Sequence, residues 1–86
     1  MSERPKDAMA SGFRLLGRIM TLGADDYTAT ATALPENGDP SEVLSITQTL
    51  ETREAADRAL DELMARIEAI VVKAGGVVTD RRKDAL

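Results

Sequence analysis

The chain predicts an α+β fold, a small antiparallel sheet of two to three strands in a meander, packed against one long C-terminal helix. Three observations predict it. Residues 27–34 read Tyr-Thr-Ala-Thr-Ala-Thr-Ala-Leu, a strict alternation of β-branched threonine with small alanine that suits a strand with two unlike faces. A second alternating run covers 42–51, with Leu44, Ile46 and Leu50 on one side and Val43, Ser45, Thr47 and Thr49 on the other. Finally, Ala56, Leu60, Leu63, Ile67, Ile70 and Ala74 recur at spacings of 4, 3, 4, 3 and 4, a heptad rhythm that belongs to a helix, and Met64 and Val71 widen its stripe.

Taken in order, residues 1–8 read as a flexible leader with Pro5 and mixed charge. The single domain is placed at 9–79, with Val77 to Thr79 adding a short edge strand at its end, and a charged tail at 80–86. Residues 9–22 fit two descriptions. A helix would put Met9, Phe13, Leu16 and Met20 on one stripe, whereas a strand alternates Phe13, Leu15, Gly17 and Ile19 with Arg14, Leu16, Arg18 and Met20. The strand is preferred, because Gly12 and Gly17 would each cost a helix about 1 kcal/mol relative to alanine, and Gly23-Ala24-Asp25-Asp26 then makes a hairpin connection. The alanine face of 27–34 allows a close approach by another element, and the threonine face can bond to water or to threonine across a strand. Residues 35–40, with Asn37-Gly38 between two prolines, form a loop. Thr52 is placed to cap the helix, with Glu54 in its first turn, and Gly75-Gly76 to stop it near Ala74. On its outer side Glu54 with Arg58 and Glu62 with Arg66 stand at ion-pair spacing.

Size sets a further expectation. A chain of 86 residues without cysteine or histidine has neither disulfide nor the usual zinc site to supplement a thin core. A helix of about 22 residues is roughly 33 Å long, longer than an eight-residue strand of about 27 Å. It would therefore overhang its sheet. The expected outcome is a homodimer whose contact includes Leu63, Ile67, Ile70 and Val71.

Charge narrows the function. Ten acids stand against two bases between residues 25 and 62, and the flanks are weakly basic. With no concentrated basic footprint and only Phe13 and Tyr27 as aromatics, direct binding to nucleic acid is disfavoured. No uninterrupted apolar run spans a membrane, no secretory leader opens the chain, and a cytoplasmic location is expected. Asp25-Asp26 are turn-formers before they are an acid–base pair. Glu36, Asn37, Asp39 and Glu42 lack the ligand order of a calcium loop. No nucleophile has a base at a recognisable spacing, so no catalytic residue, cofactor or metal is assigned. The expectation is a non-enzymatic interaction protein, a small regulator or adaptor that self-associates through its helix and binds a larger protein through its sheet edge or acidic loop, with Asp25, Asp26, Glu36, Asp39 and Glu42 as the partner-binding candidates. The alternative is an acidic inhibitor of nucleic-acid-processing machinery, of mobile-element type, with Asp25, Asp26, Glu36, Asp39 and Glu42 standing where phosphates would.

Overall fold

The computed structural model describes residues 12–84. Strand β1 (Gly12–Gly23) turns through Ala24-Asp25 into β2 (Asp26–Pro35). A 3-10 turn at Pro40–Glu42 leads to β3 (Leu44–Leu50), then helix α1 (Arg53–Lys73) and strand β4 (Val77–Asp84). The sheet has the order β3-β2-β1-β4, with β2 antiparallel to both neighbours and β4 parallel to β1.

The fold is α+β as expected, but the sheet has four strands and is mixed, and the helix is followed by a strand. The direction of the chain explains this. After three antiparallel strands, β3 runs the same way as β1, and α1 carries the chain back to the starting end. A strand entering there beside β1 must lie parallel to it, which is the crossover that parallel strands require. Residues 80–84, expected to belong to a charged tail, are thus the second half of β4. The expected leader, residues 1–8, lies outside the described residues, and 9–22 is strand from Gly12 onward.

One face of the sheet is covered by the helix. Leu15 and Ile19 from β1 and Ala29, Ala31 and Ala33 from β2 are buried against Ala56, Leu60, Leu63, Ile67 and Val71 of α1. The small residues explain the seat. A Cβ on Gly17 would stand 3.0 Å from Leu60 Cδ1 and from Met64 Sδ, so the helix lies on the backbone of β1 there. The approach that the alanine face permits is therefore made by α1. Phe13, Tyr27, Ile46, Leu50 and Val78 close the margins of this core.

Both ends of the helix are finished locally. Thr52 Oγ1 accepts the Ala55 N–H at 3.1 Å. At the other end Gly75 takes φ 95°, and the N–H groups of Gly75 and Gly76 donate to the carbonyls of Val72 and Val71, a Schellman stop.

The expected overhang is reversed. With 12 residues β1 is about 40 Å long, whereas the 21-residue helix reaches about 32 Å. The β1–β2 hairpin stands beyond the helix, and Leu22 near its tip is 77% exposed.

Candidate interaction surface

The period of a strand sends alternate side chains to opposite faces, so every residue of β1 and β2 that avoids the helix faces outward together. In register across the sheet from β3 to β4, one outward row is Ser45, Thr32, Leu16 and Arg82, and the next is Thr47, Thr30, Arg18 and Asp84. Leu34, Arg14 and Asp80 make a row on one side of these, and Thr49, Thr28 and Met20 a row on the other. The β3–β2 half of this face is a field of hydroxyls, with Thr30 and Thr47 Oγ1 3.3 Å apart and Thr32 Oγ1 and Ser45 Oγ 3.4 Å apart. The β1–β4 half is apolar and charged. Between them lies an open depression of about 380 Å³, lined by Leu16, Met20 and Leu34 with Arg18, Thr30 and Thr32.

No other element lies on this face among the described residues. Leu16 and Leu34 are half-buried and Met20 is 46% exposed. Both aromatics, Phe13 and Tyr27, pack on the helix side, which leaves the outward face without a stacking group among the described residues. Arg14 and Arg18 have Asp80 and Asp84 as their register neighbours, and Asp80 receives Arg82 at 3.6 Å.

The opposite flank of the molecule is an ionic seam. Because of an irregularity between Phe13 and Arg14, β4 places Arg81 and Lys83 level with Leu15 and Gly17, on the helix side. Arg81 donates through Nε and Nη2 to the two carboxylate oxygens of Glu68, and Lys83 pairs with Asp61, two helical turns away. The hydrogen bond from Arg81 holds the Glu68 carboxyl below the usual glutamate range, and the Arg81 guanidinium is raised in turn. These pairs run from helix to strand, so the flank of α1 is tied to β4.

The acidic residues singled out in the sequence do not assemble into one patch. Asp25 lies in the β1–β2 turn and Asp26 opens β2, while Glu36, Asp39 and Glu42 lie at the far end of β2, a ten-residue strand of about 33 Å. Two of them have local structural partners. Glu36 accepts from the Thr79 hydroxyl at 2.5 Å, and Asp39 caps the 3-10 turn by accepting from the Ser41 N–H and hydroxyl, which hold its carboxyl below the usual range. Of the four residues expected at a helix-mediated interface, Leu63, Ile67 and Val71 are buried in the chain's own core, and Ile70 alone is exposed, at 46%. The heptad stripe is wide because it covers a sheet.

Sequence reasoning did not single out the outward face of β1. Its signal was present in the alternation of Arg14, Leu16, Arg18 and Met20, which as a strand must present a second face. Among the described residues no three His, Cys, Asp or Glu side chains gather as a metal site, and no helix is long and apolar enough to cross a membrane. Comparison with known protein families, curated proteins and solved structures found no match for this chain. The class is therefore defined by architecture alone, a two-layer α+β domain with one sheet face covered by its helix and the other bare among the described residues.

Proposed function

We propose that this is a small non-enzymatic interaction protein, a regulator or adaptor that binds a larger protein partner through the uncovered sheet face and also self-associates. The observation that carries the reading is the face itself, which no other element covers among the described residues. Leu16, Met20 and Leu34 form an apolar centre, bordered on one side by guanidinium groups and on the other by hydroxyls. Such a patch offers apolar burial with directional donors around it, the pattern of a protein interface. A protein suits it better than nucleic acid, because Asp80 and Asp84 share the field with the arginines and stacking groups are absent from its described residues. The reading includes a cytoplasmic location, where a chain without cysteine forgoes no disulfide.

Capture from native lysate tests it with three baits: the wild-type chain, the face variant Leu16→Glu with Arg18→Glu, and the acidic reversal Glu36→Lys, Asp39→Lys and Glu42→Lys. Each bait is first checked for native circular dichroism. A partner held by the wild type and by the acidic reversal but lost by the face variant supports the reading. A partner lost by the acidic reversal alone, and lost steeply with salt, overturns it in favour of charge mimicry.

A further inference from the structure

The two edges of the sheet are built differently. Strand β4 carries Asp80, Arg81, Arg82, Lys83 and Asp84, and charge along an edge discourages another strand from pairing with it. Strand β3, Leu-Ser-Ile-Thr-Gln-Thr-Leu, has no charged residue, no proline and no glycine over its whole length. Its outer row of backbone donors and acceptors faces away from β2, since β3 is the terminal strand of the sheet on that side among the described residues. Exposed apolar side chains are found along the same margin. Val43, Leu44 and Ile70 are three of the seven exposed large hydrophobics. Ile70 belongs there because Asp61 and Glu68 turn toward β4, and at 100° per residue Ile70 stands on the opposite flank of the helix.

The order of residues in β3 indicates which strand would fit. Read from either end about Thr47, the strand is nearly the same: Leu44 answers Leu50, Ser45 answers Thr49, and Ile46 answers Gln48. We infer that β3 is the pairing edge for a second copy of this chain, joined antiparallel about a two-fold axis at Thr47, so that two four-stranded sheets become one continuous sheet.

In that register Leu44 of each copy lies opposite Leu50 of the other on the helix side, where both are incompletely covered in the single chain. On the outward side Thr47 meets Thr47, and Ser45 meets Thr49, extending the Thr30–Thr47 and Thr32–Ser45 hydroxyl rows across the axis. Glu42, in the 3-10 turn, and Glu51, just past the end of β3, both lie outside the paired segment, which is free of charge. The contact is isologous and closes on itself. Both free edges of the resulting sheet are then copies of β4, whose charges resist further addition. This inference deepens the self-association in the reading above and does not depend on the larger partner.

The chain has no cysteine, so single cysteines report the register. The inference predicts a dimer mass for the wild type by sedimentation at micromolar concentration. It also predicts rapid formation of a disulfide-linked dimer by Thr47→Cys under mild oxidation, since directly opposed Cβ atoms lie about 4.5–5.5 Å apart. Ser45→Cys alone and Thr49→Cys alone should stay monomeric on a denaturing gel, because each is offset from its own copy by about 13 Å. An equimolar mixture of those two should cross-link. Thr47→Lys, which opposes two like charges at the axis while touching no core residue, should weaken the dimer at least tenfold and leave the circular dichroism spectrum unchanged. A monomer mass for the wild type up to high micromolar concentration overturns the inference, as does cross-linking of Thr47→Cys no faster than that of Ser45→Cys. Neither result bears on partner capture, which the face variant tests separately.

Discussion

Replacing Ile67 with alanine removes a side chain that is fully enclosed between α1 and the alanine face of β2, whereas the same replacement at Ile70, three residues on, acts on a side chain 46% exposed. The burial difference sets the expected magnitudes. A buried isoleucine truncated to alanine costs about 2–5 kcal/mol, because the lost transfer energy is joined by a cavity that a close-packed site only partly fills. For a chain of 86 residues total stability is of the order of 4–13 kcal/mol, so a cost near 3.5 kcal/mol is a large part of it. At about 4–8 °C per kcal/mol for a domain of this size, Tm should fall by roughly 14–28 °C. Ile70→Ala keeps the neighbouring core intact and loses about half the burial of one side chain, about 1 kcal/mol, or roughly 4–8 °C. Alanine's higher helix propensity offsets a few tenths of a kcal/mol at both positions alike. Thermal unfolding followed by circular dichroism at one fixed protein concentration reads both shifts. Equal shifts, or a larger one for Ile70→Ala, would refute the assignment of the stripe to the chain's own core.

Two further outcomes follow from the same structure. Ala31→Arg sets an uncompensated charge beneath the helix and should cost several kcal/mol, while Thr30→Arg points to the bare face and should shift stability by under about 1 kcal/mol; comparable melting temperatures for the two would show that β2 is not covered on one face only. Glu68 is held below the usual carboxylate range by Arg81, so its contribution to stability is fully present above the unfolded glutamate pKa and is lost as pH falls through that value toward the folded one. Melting wild type and Glu68→Gln at pH 7 and pH 3 should therefore give a difference that shrinks in acid, and a difference independent of pH would remove the ion pair from the account.

Much of this architecture was legible because its signals are local. The threonine–alanine alternation marked β2 and foretold that something would lie close on its alanine side. Thr52 and Gly75-Gly76 marked the ends of α1 through capping chemistry that needs only neighbouring residues. Only the start of strand β4, Val77 to Thr79, was legible in the same way. Asp-Arg-Arg-Lys-Asp offers no apolar alternation, and its strand state rests on backbone pairing with a strand over sixty residues earlier, beside which Arg81 and Lys83 meet Glu68 and Asp61. The helix stripe marks a contact surface, and Leu63, Ile67 and Val71 are buried within the chain itself, because periodicity records that a face is covered and is silent on what covers it. The outward face of β1 was missed for a related reason. Its arginines and leucines become a surface only when β2 and β4 flank them.

The order 3-2-1-4 has a consequence for how the chain reaches this state. Strand β1 is the first of these elements to be made, and it completes its second side only with β4, the last of them. Phe13 and Thr79, whose backbone carbonyl and side-chain hydroxyl oxygens stand 3.2 Å apart where β1 meets β4, are 66 residues apart in sequence. The β1–β2–β3 meander can form from near neighbours, but the parallel join must wait for the helix to cross and for a long loop to close, which is the slow step in such topologies. During synthesis, therefore, the strand that ends up inside the sheet is for a time its boundary. Its hydrogen-bonding groups stand open until an arginine and a lysine near the far end of the chain find their carboxylates on the helix.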